Sequence, residues 1–134
     1  MPNLTAKDVL DAFMPKPKHV LAADTECEVM IAEAAVVKRP NGKAPYIRMQ
    51  LVVEDNPSVR KIPYWLTIPV KGNEYFDSHR RRMASFQRAF GVTGERDVHA
   101  MIERVYRQKA RARLGVRTHD GAYSELNYVT CWLP

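Results

Sequence analysis

The stretch "YIRMQLVVEDNPSVRKIPYWLTIP", residues 46–69, constrains the fold more than any other part of the chain. In its first half Ile47, Met49, Leu51 and Val53 alternate with Tyr46, Arg48 and Gln50. In its second half Ile62, Tyr64, Leu66 and Ile68 alternate with Lys61, Trp65 and Thr67. Apolar residues at a period of two belong to a β-strand with one buried face, and "DNPS" between the runs is a turn. The segment therefore reads as two neighbouring strands that share a core face and present Tyr46, Arg48, Gln50, Lys61, Trp65 and Thr67 outward. Pro63 has no N–H to give to a ladder, which places the second strand at an edge or at an irregularity.

A strand also precedes this pair. "ECEVMIAEAAVVK" sets Cys27, Val29 and Ile31 on one face and Glu26, Glu28 and Met30 on the other. Ala32 to Ala35 break that register, so a bulge is expected there. "RPNGKAP" is the turn that follows. After residue 70 the period changes: Phe76, Met83 and Phe90 recur every seven residues with His79 and Phe86 between them. That is a helical stripe, with Asn73 as the candidate N-cap, Gly91 just past the end, and Arg80, Arg81 and Arg82 on a solvated face or, alternatively, extending a binding track.

"VTGERDVHAMIE" reads as a connector with at most one helical turn, and strand patterning resumes at Arg104. "YRQKARARLGVR" then sets Arg107, Lys109, Arg111 and Arg113 at alternate positions. A helix here would group Met101, Val105 and Ala112 into a poor stripe. A strand sets Ala110, Ala112 and Leu114 against the four cations, at the cost of turning Gln108 inward. "HDGAY" is a loop and "ELNYVTCWLP" a last strand. At the N-terminus "LTAKDVLDAFMPKP" reads as a short helix capped by Thr5 and stopped by Pro15 and Pro17. Its apolar residues Val9, Leu10 and Phe13 pack on the domain or, alternatively, on a second copy in a homo-oligomer.

A chain of 134 residues holds one core. The expected class is α+β: a five-stranded Greek-key barrel of the OB type, with a helix between strands three and four and a short N-terminal helix. Residues 1–21 are the N-terminal helix and linker, and 22–134 the barrel domain. No apolar run approaches the roughly 20 residues that cross a membrane. The N-terminus lacks the basic-then-apolar layout of a signal peptide, so a cytoplasmic location is expected. Cys27 and Cys131 are too few and too far apart for a disulfide framework, and free thiols are expected.

No catalytic constellation stands out. His19, His79, His99 and His119 are scattered, Glu54–Asp55 sits at a turn, and "GVTG" lacks the Lys-Ser/Thr of a phosphate loop. Neither an enzyme, a metal nor a cofactor is expected. The net charge of +6 suggests a polyanionic partner. Residues 1–70 carry nine Lys or Arg against eight Asp or Glu, while residues 71–134 carry twelve against seven. The basic character lies in the second half.

Barrels of this type bind oligonucleotides on strands two and three and on the flanking 1–2 and 4–5 loops. Those places hold Tyr46, Arg48, Lys61 and Trp65, then Arg39 and Lys43, then Arg117, His119 and Tyr123. Aromatic rings stack unpaired bases and the interleaved cations follow phosphates. The outward Glu26 and Glu28 of strand one can pair with some of the alternating row, the members depending on register, and Arg107 and Lys109 are assigned first to such strand pairing. Arg111, Arg113 and Arg117, toward the 4–5 loop, are assigned to phosphate.

The run "YIRMQLVVEDNPSVRKIPYWLTIP", the helix ending "FQRAFGV" and the closing "NYVTCWLP" together resemble phage-type single-stranded DNA-binding proteins. The matching positions are Arg60, Lys61, Ile62, Trp65 and Leu66, then Asn127, Val129, Leu133 and Pro134. The resemblance covers about residues 22–134 and departs at Val59, where the family pattern has Gly. It implies an OB barrel that coats single-stranded DNA during phage replication or recombination, in the cytoplasm of a bacterial host. The chain stops at Pro134 without the acidic tail by which many bacterial single-strand binders recruit partners, so such recruitment is not expected. RNA binding by the same face, or a structural protein whose barrel contacts other proteins, are the alternatives.

Overall fold

The alternating runs become strands in the expected places. β1 (Glu26–Val37), β2 (Tyr46–Val52) and β3 (Ile62–Thr67) are followed by α1 (Phe76–Ala89) and α2 (Val98–Val105), then by β4 (Lys109–Thr118) and β5 (Glu125–Trp132). The computed structural model describes residues 19–118 and 125–134. The expected N-terminal helix, and His119 and Tyr123 of the 4–5 loop, lie outside the described residues. The strands form one antiparallel sheet in the order β3-β2-β1-β4-β5, and with the two helices among the described residues the fold is α+β. No helix among the described residues is long and apolar enough to cross a membrane.

The core follows the alternation. Ile31, Ile47, Met49, Leu51, Ile62, Leu66 and Leu114 are fully buried, and α1 adds Phe86 to the same cluster. Burying side chains of this size contributes roughly 1.5–3 kcal/mol each. β1 pairs with β4 through Glu26–Met30 and with β2 through Met30–Val37. The expected bulge falls at this handover: Ile31 opposes Leu51, but Glu33 opposes Gln50, leaving Ala32 unpaired. The extra residue flips the facing, so Ala34 packs against the core and Glu33 and Ala35 are exposed. A bulge also bends its strand, which lets β1 curve from one neighbour to the other.

β3 and β5 are the outer strands, and Pro63 sits on the β3 edge as its missing donor requires. The sheet curls until these two edges face each other. Trp132 Nε1 donates to the Tyr64 hydroxyl at 3.1 Å, and the two rings meet edge to face at 5.3 Å. Elsewhere a cleft of about 320 Å³ separates Pro63, Tyr64 and Trp65 from the segment 126–129 of β5.

The segment after α1 departs from expectation. Residues expected to form a connector and the start of a strand form α2 instead. Asp97 caps it, its Oδ1 accepting from the N–H groups of His99 (2.9 Å) and Ala100 (3.1 Å). Two turns bury only Met101 and Val105, a pair four residues apart. Ala112 lies beyond this helix, in β4, so the apolar stripe of α2 ends at Val105. β4 accordingly begins at Lys109, not Arg104. Arg107 lies in the preceding turn with φ +63°, its N–H donating to the Ile31 carbonyl at 2.9 Å. Gln108 is exposed, so the expected inward turn does not occur. At α1 the N-cap is Tyr75, and Asn73 acts two residues earlier by accepting from the Tyr75 N–H at 2.8 Å. Gly91 takes the left-handed conformation (φ +69°) expected just past the helix.

Candidate nucleic-acid interface

Register brings the outward residues of β2 and β3 together. Arg48 lies opposite Trp65 and Tyr46 opposite Thr67, so Tyr46 and Trp65 are diagonal neighbours on one face. Their rings are 5.7 Å apart, tilted by 44°. Trp65 is 60% exposed, as much as any large apolar side chain described. The 1–2 loop comes back over this pair. Arg39 Nε donates to the Ala44 carbonyl at 2.6 Å, which holds its guanidinium 5.4 Å from the centre of the Tyr46 ring. Lys43 is exposed on the same loop, whose turn uses positive φ at Asn41 and Gly42. Arg39, Tyr46 and Trp65 thus form one continuous aromatic and cationic surface beside Arg48. Arg48 is exposed and no carboxylate pairs with it among the described residues. Lys61 is partly drawn away, 4.0 Å from Glu33.

The alternating row on β4 has a different environment. Arg113 lies opposite Glu26 and Arg111 opposite Glu28. The Arg113 guanidinium donates to Glu26 Oε1 through Nη2 (2.7 Å) and Nε (3.3 Å), and this hydrogen bond raises its pKa above the usual arginine value. Arg113, assigned to phosphate from the sequence, thus makes an exposed cross-strand ion pair with Glu26. Lys109 does pair, but chiefly with Glu54 at 2.6 Å and only secondarily with Glu28 at 3.9 Å. The Glu54 hydrogen bond raises the Lys109 pKa. Arg107, in the turn, rests 5.7 Å from the ring of its neighbour Tyr106 and joins no strand pair. Arg111 stays exposed beside half-buried Cys27, whose thiol is pushed up by burial and lowered in part by Arg111.

Arg117 lies elsewhere, on the wall of the β3–β5 cleft, with its guanidinium 4.7 Å from the centre of the Tyr128 ring. Tyr128 lies directly over Gly115. A Cβ at position 115 would meet ring atoms at 2.5–2.7 Å, so the missing side chain is what lets the ring lie down. Arg82 reaches the same cleft from α1, donating to the Trp65 carbonyl at 3.2 Å, with Tyr64 beneath it at 5.9 Å. Arg82 remains exposed on the helix face while it borders the cleft, and Arg80 lies 3.7 Å from Asp77 on that face. Sequence reasoning missed Tyr128 altogether. Its signal was the pairing of a strand glycine with an aromatic residue, visible only once β4 and β5 are in register.

Asn127, one of the residues that carry the resemblance, is 3% exposed and fully employed. Its Oδ1 accepts from the Leu21 N–H, and its Nδ2 donates to the Leu21 and Gly115 carbonyls, at 2.9–3.0 Å. It ties the chain before β1 to the far edge of the sheet. No group of three His, Cys, Asp or Glu side chains among the described residues is placed to hold a metal ion. The chain matches no protein-family model, and no curated protein sequence matches it at a significant level.

Proposed function

We propose that this protein binds single-stranded DNA without sequence preference and without catalysis. Unpaired bases stack on Trp65 and Tyr46, while Arg48, Arg39 and Lys43 follow the phosphates. The observation that carries this reading is the exposed Trp65, set against Tyr46 beside an arginine that no described carboxylate neutralises. Ring faces held in place by a sheet accept any base, at roughly 1–3 kcal/mol per stacked base, and a free arginine adds phosphate attraction. The strand order and the approach of β3 to β5 support an open Greek-key barrel of the OB type, in which β2 and β3 form the customary binding face. A role in coating strands during phage replication or recombination rests on the resemblance noted above.

The test is a titration with oligo(dT), read by quenching of Trp fluorescence. Strong quenching at low salt and a steep loss of affinity between 50 and 200 mM salt, as about expected for several phosphate contacts, supports the reading. No binding at low salt overturns it and favours a protein-contacting role. A parallel titration with oligo(U) decides between the two sugars, since stacking and phosphate contacts do not separate them.

A further inference from the structure

The cleft between β3 and β5 is a second place where aromatic rings and arginines converge, and it is built differently from the open face. Trp65 stands on its β3 wall and Tyr128 on its β5 wall, while Arg82 enters from α1 and Arg117 from β4. Among the described residues no carboxylate lines it. Arg82 commits one donor to the Trp65 carbonyl, and a guanidinium has five N–H groups. Arg117 lies over Tyr128 and is in no described ion pair. Two cations from different elements, aimed into one concavity with no described carboxylate beside them, fit a phosphate. At about 320 Å³ the cleft stands at the low end of small-ligand pockets (roughly 300–1,000 Å³), which suits a single nucleotide and excludes a duplex.

We propose that this cleft is a mononucleotide subsite, taking one nucleotide with its base against Trp65 and Tyr128 and its phosphate between Arg82 and Arg117. The proposal deepens the single-strand reading, because Trp65 belongs to both places. A strand lying on the β2–β3 face turns one nucleotide into the cleft as it passes Trp65. The Gly115–Tyr128 pairing holds the ring in place beforehand, so little ordering is left for the ligand to impose.

The experiment is an NMR titration of the full ¹⁵N-labelled chain with thymidine 5′-monophosphate, alongside oligo(dT) binding by anisotropy. Saturable shifts at the Trp65 indole and at the amides of residues 126–129 are expected. Arg82→Gln with Arg117→Gln should weaken the mononucleotide by about tenfold or more, while lysine at both positions restores much of the loss. The unfolding midpoint checks that the variants fold, and the two single variants provide the same reading if the double variant does not. Shifts confined to Tyr46 and Arg48, or an unchanged affinity in the glutamine variants, overturn the subsite. If the mononucleotide avoids the cleft while oligo(dT) still binds, the subsite fails and strand binding stands. If oligo(dT) does not bind but the mononucleotide fills the cleft, strand binding fails and the subsite stands. If neither binds, both fail.

Discussion

Two outward faces of the same sheet carry cations, and they have opposite electrostatic fates. Arg48 on β2 and Arg39 on the 1–2 loop stand beside the aromatic rings of β2 and β3, and no described carboxylate reaches either of them. On β4, Arg113 and Lys109 face the acidic edge of β1 and are held by Glu26, Glu54 and Glu28. The denser row of charge is the one with less charge to offer. An arginine already hydrogen-bonded to a carboxylate has that contact to exchange for a phosphate, whereas Arg48 has no described ion-pair partner and Arg39 commits only its Nε, to the Ala44 carbonyl. Counting cations along a strand is therefore a poor guide to polyanion binding. The strand that lies opposite decides.

The largest effect that separates the two faces is expected at Trp65. Trp65→Ala should weaken oligo(dT) by about 1–3 kcal/mol, measured by fluorescence anisotropy, with the unfolding midpoint nearly unchanged because the side chain is mostly exposed. An unaltered affinity would remove the aromatic face from the proposal. Next comes the salt slope. Arg48→Gln should reduce the slope of log K against log salt by about 0.7, the value for one single-strand phosphate contact, and Arg113→Gln should leave it unchanged. Equal slopes for the two variants would erase the contrast.

Glu26→Gln tests the same contrast from the acidic side. Releasing Arg113 should raise oligo(dT) affinity, within about fivefold, and a drop in affinity would contradict the neutralised row. Alkaline unfolding probes Lys109. Its raised pKa means that its stabilising pairing with Glu54 is complete below the unfolded lysine pKa and is lost as pH climbs through the higher folded value. Lys109→Gln should therefore narrow the difference in stability between neutral and strongly alkaline solution. The smallest effect is kinetic. Exposed Cys131 should be alkylated by iodoacetamide well before Cys27, whose thiol burial pushes up, and Arg111→Gln should slow Cys27 further.

Much of the fold was legible because its signals are local. The alternation of Ile47, Met49 and Leu51 needs only the two-residue period of a strand, and Pro63 marks an edge by lacking a donor. The bulge at Ala32 was foreshadowed by the break in alternation after Ile31. Outward Trp65 followed from the same parity, so the heart of the proposed face was readable from one dozen residues. Helix α2 was not, because two turns with one buried pair produce a period too short to distinguish from a strand's beginning.

The sequence by itself determined which side chains face the core and which face water on β2, β3, β4 and the start of β1, since that depends on backbone geometry within a few residues. Only the tertiary structure decided which outward charges are free. Glu54 reaches Lys109, Glu26 takes Arg113, and Tyr128 lies on Gly115 because β1, β4 and β5 meet in one register. That register is set by packing across the whole sheet, and a slip of one residue would exchange every partner. Charge is written into the chain locally, and its neutralisation depends on residues brought together from far along the chain.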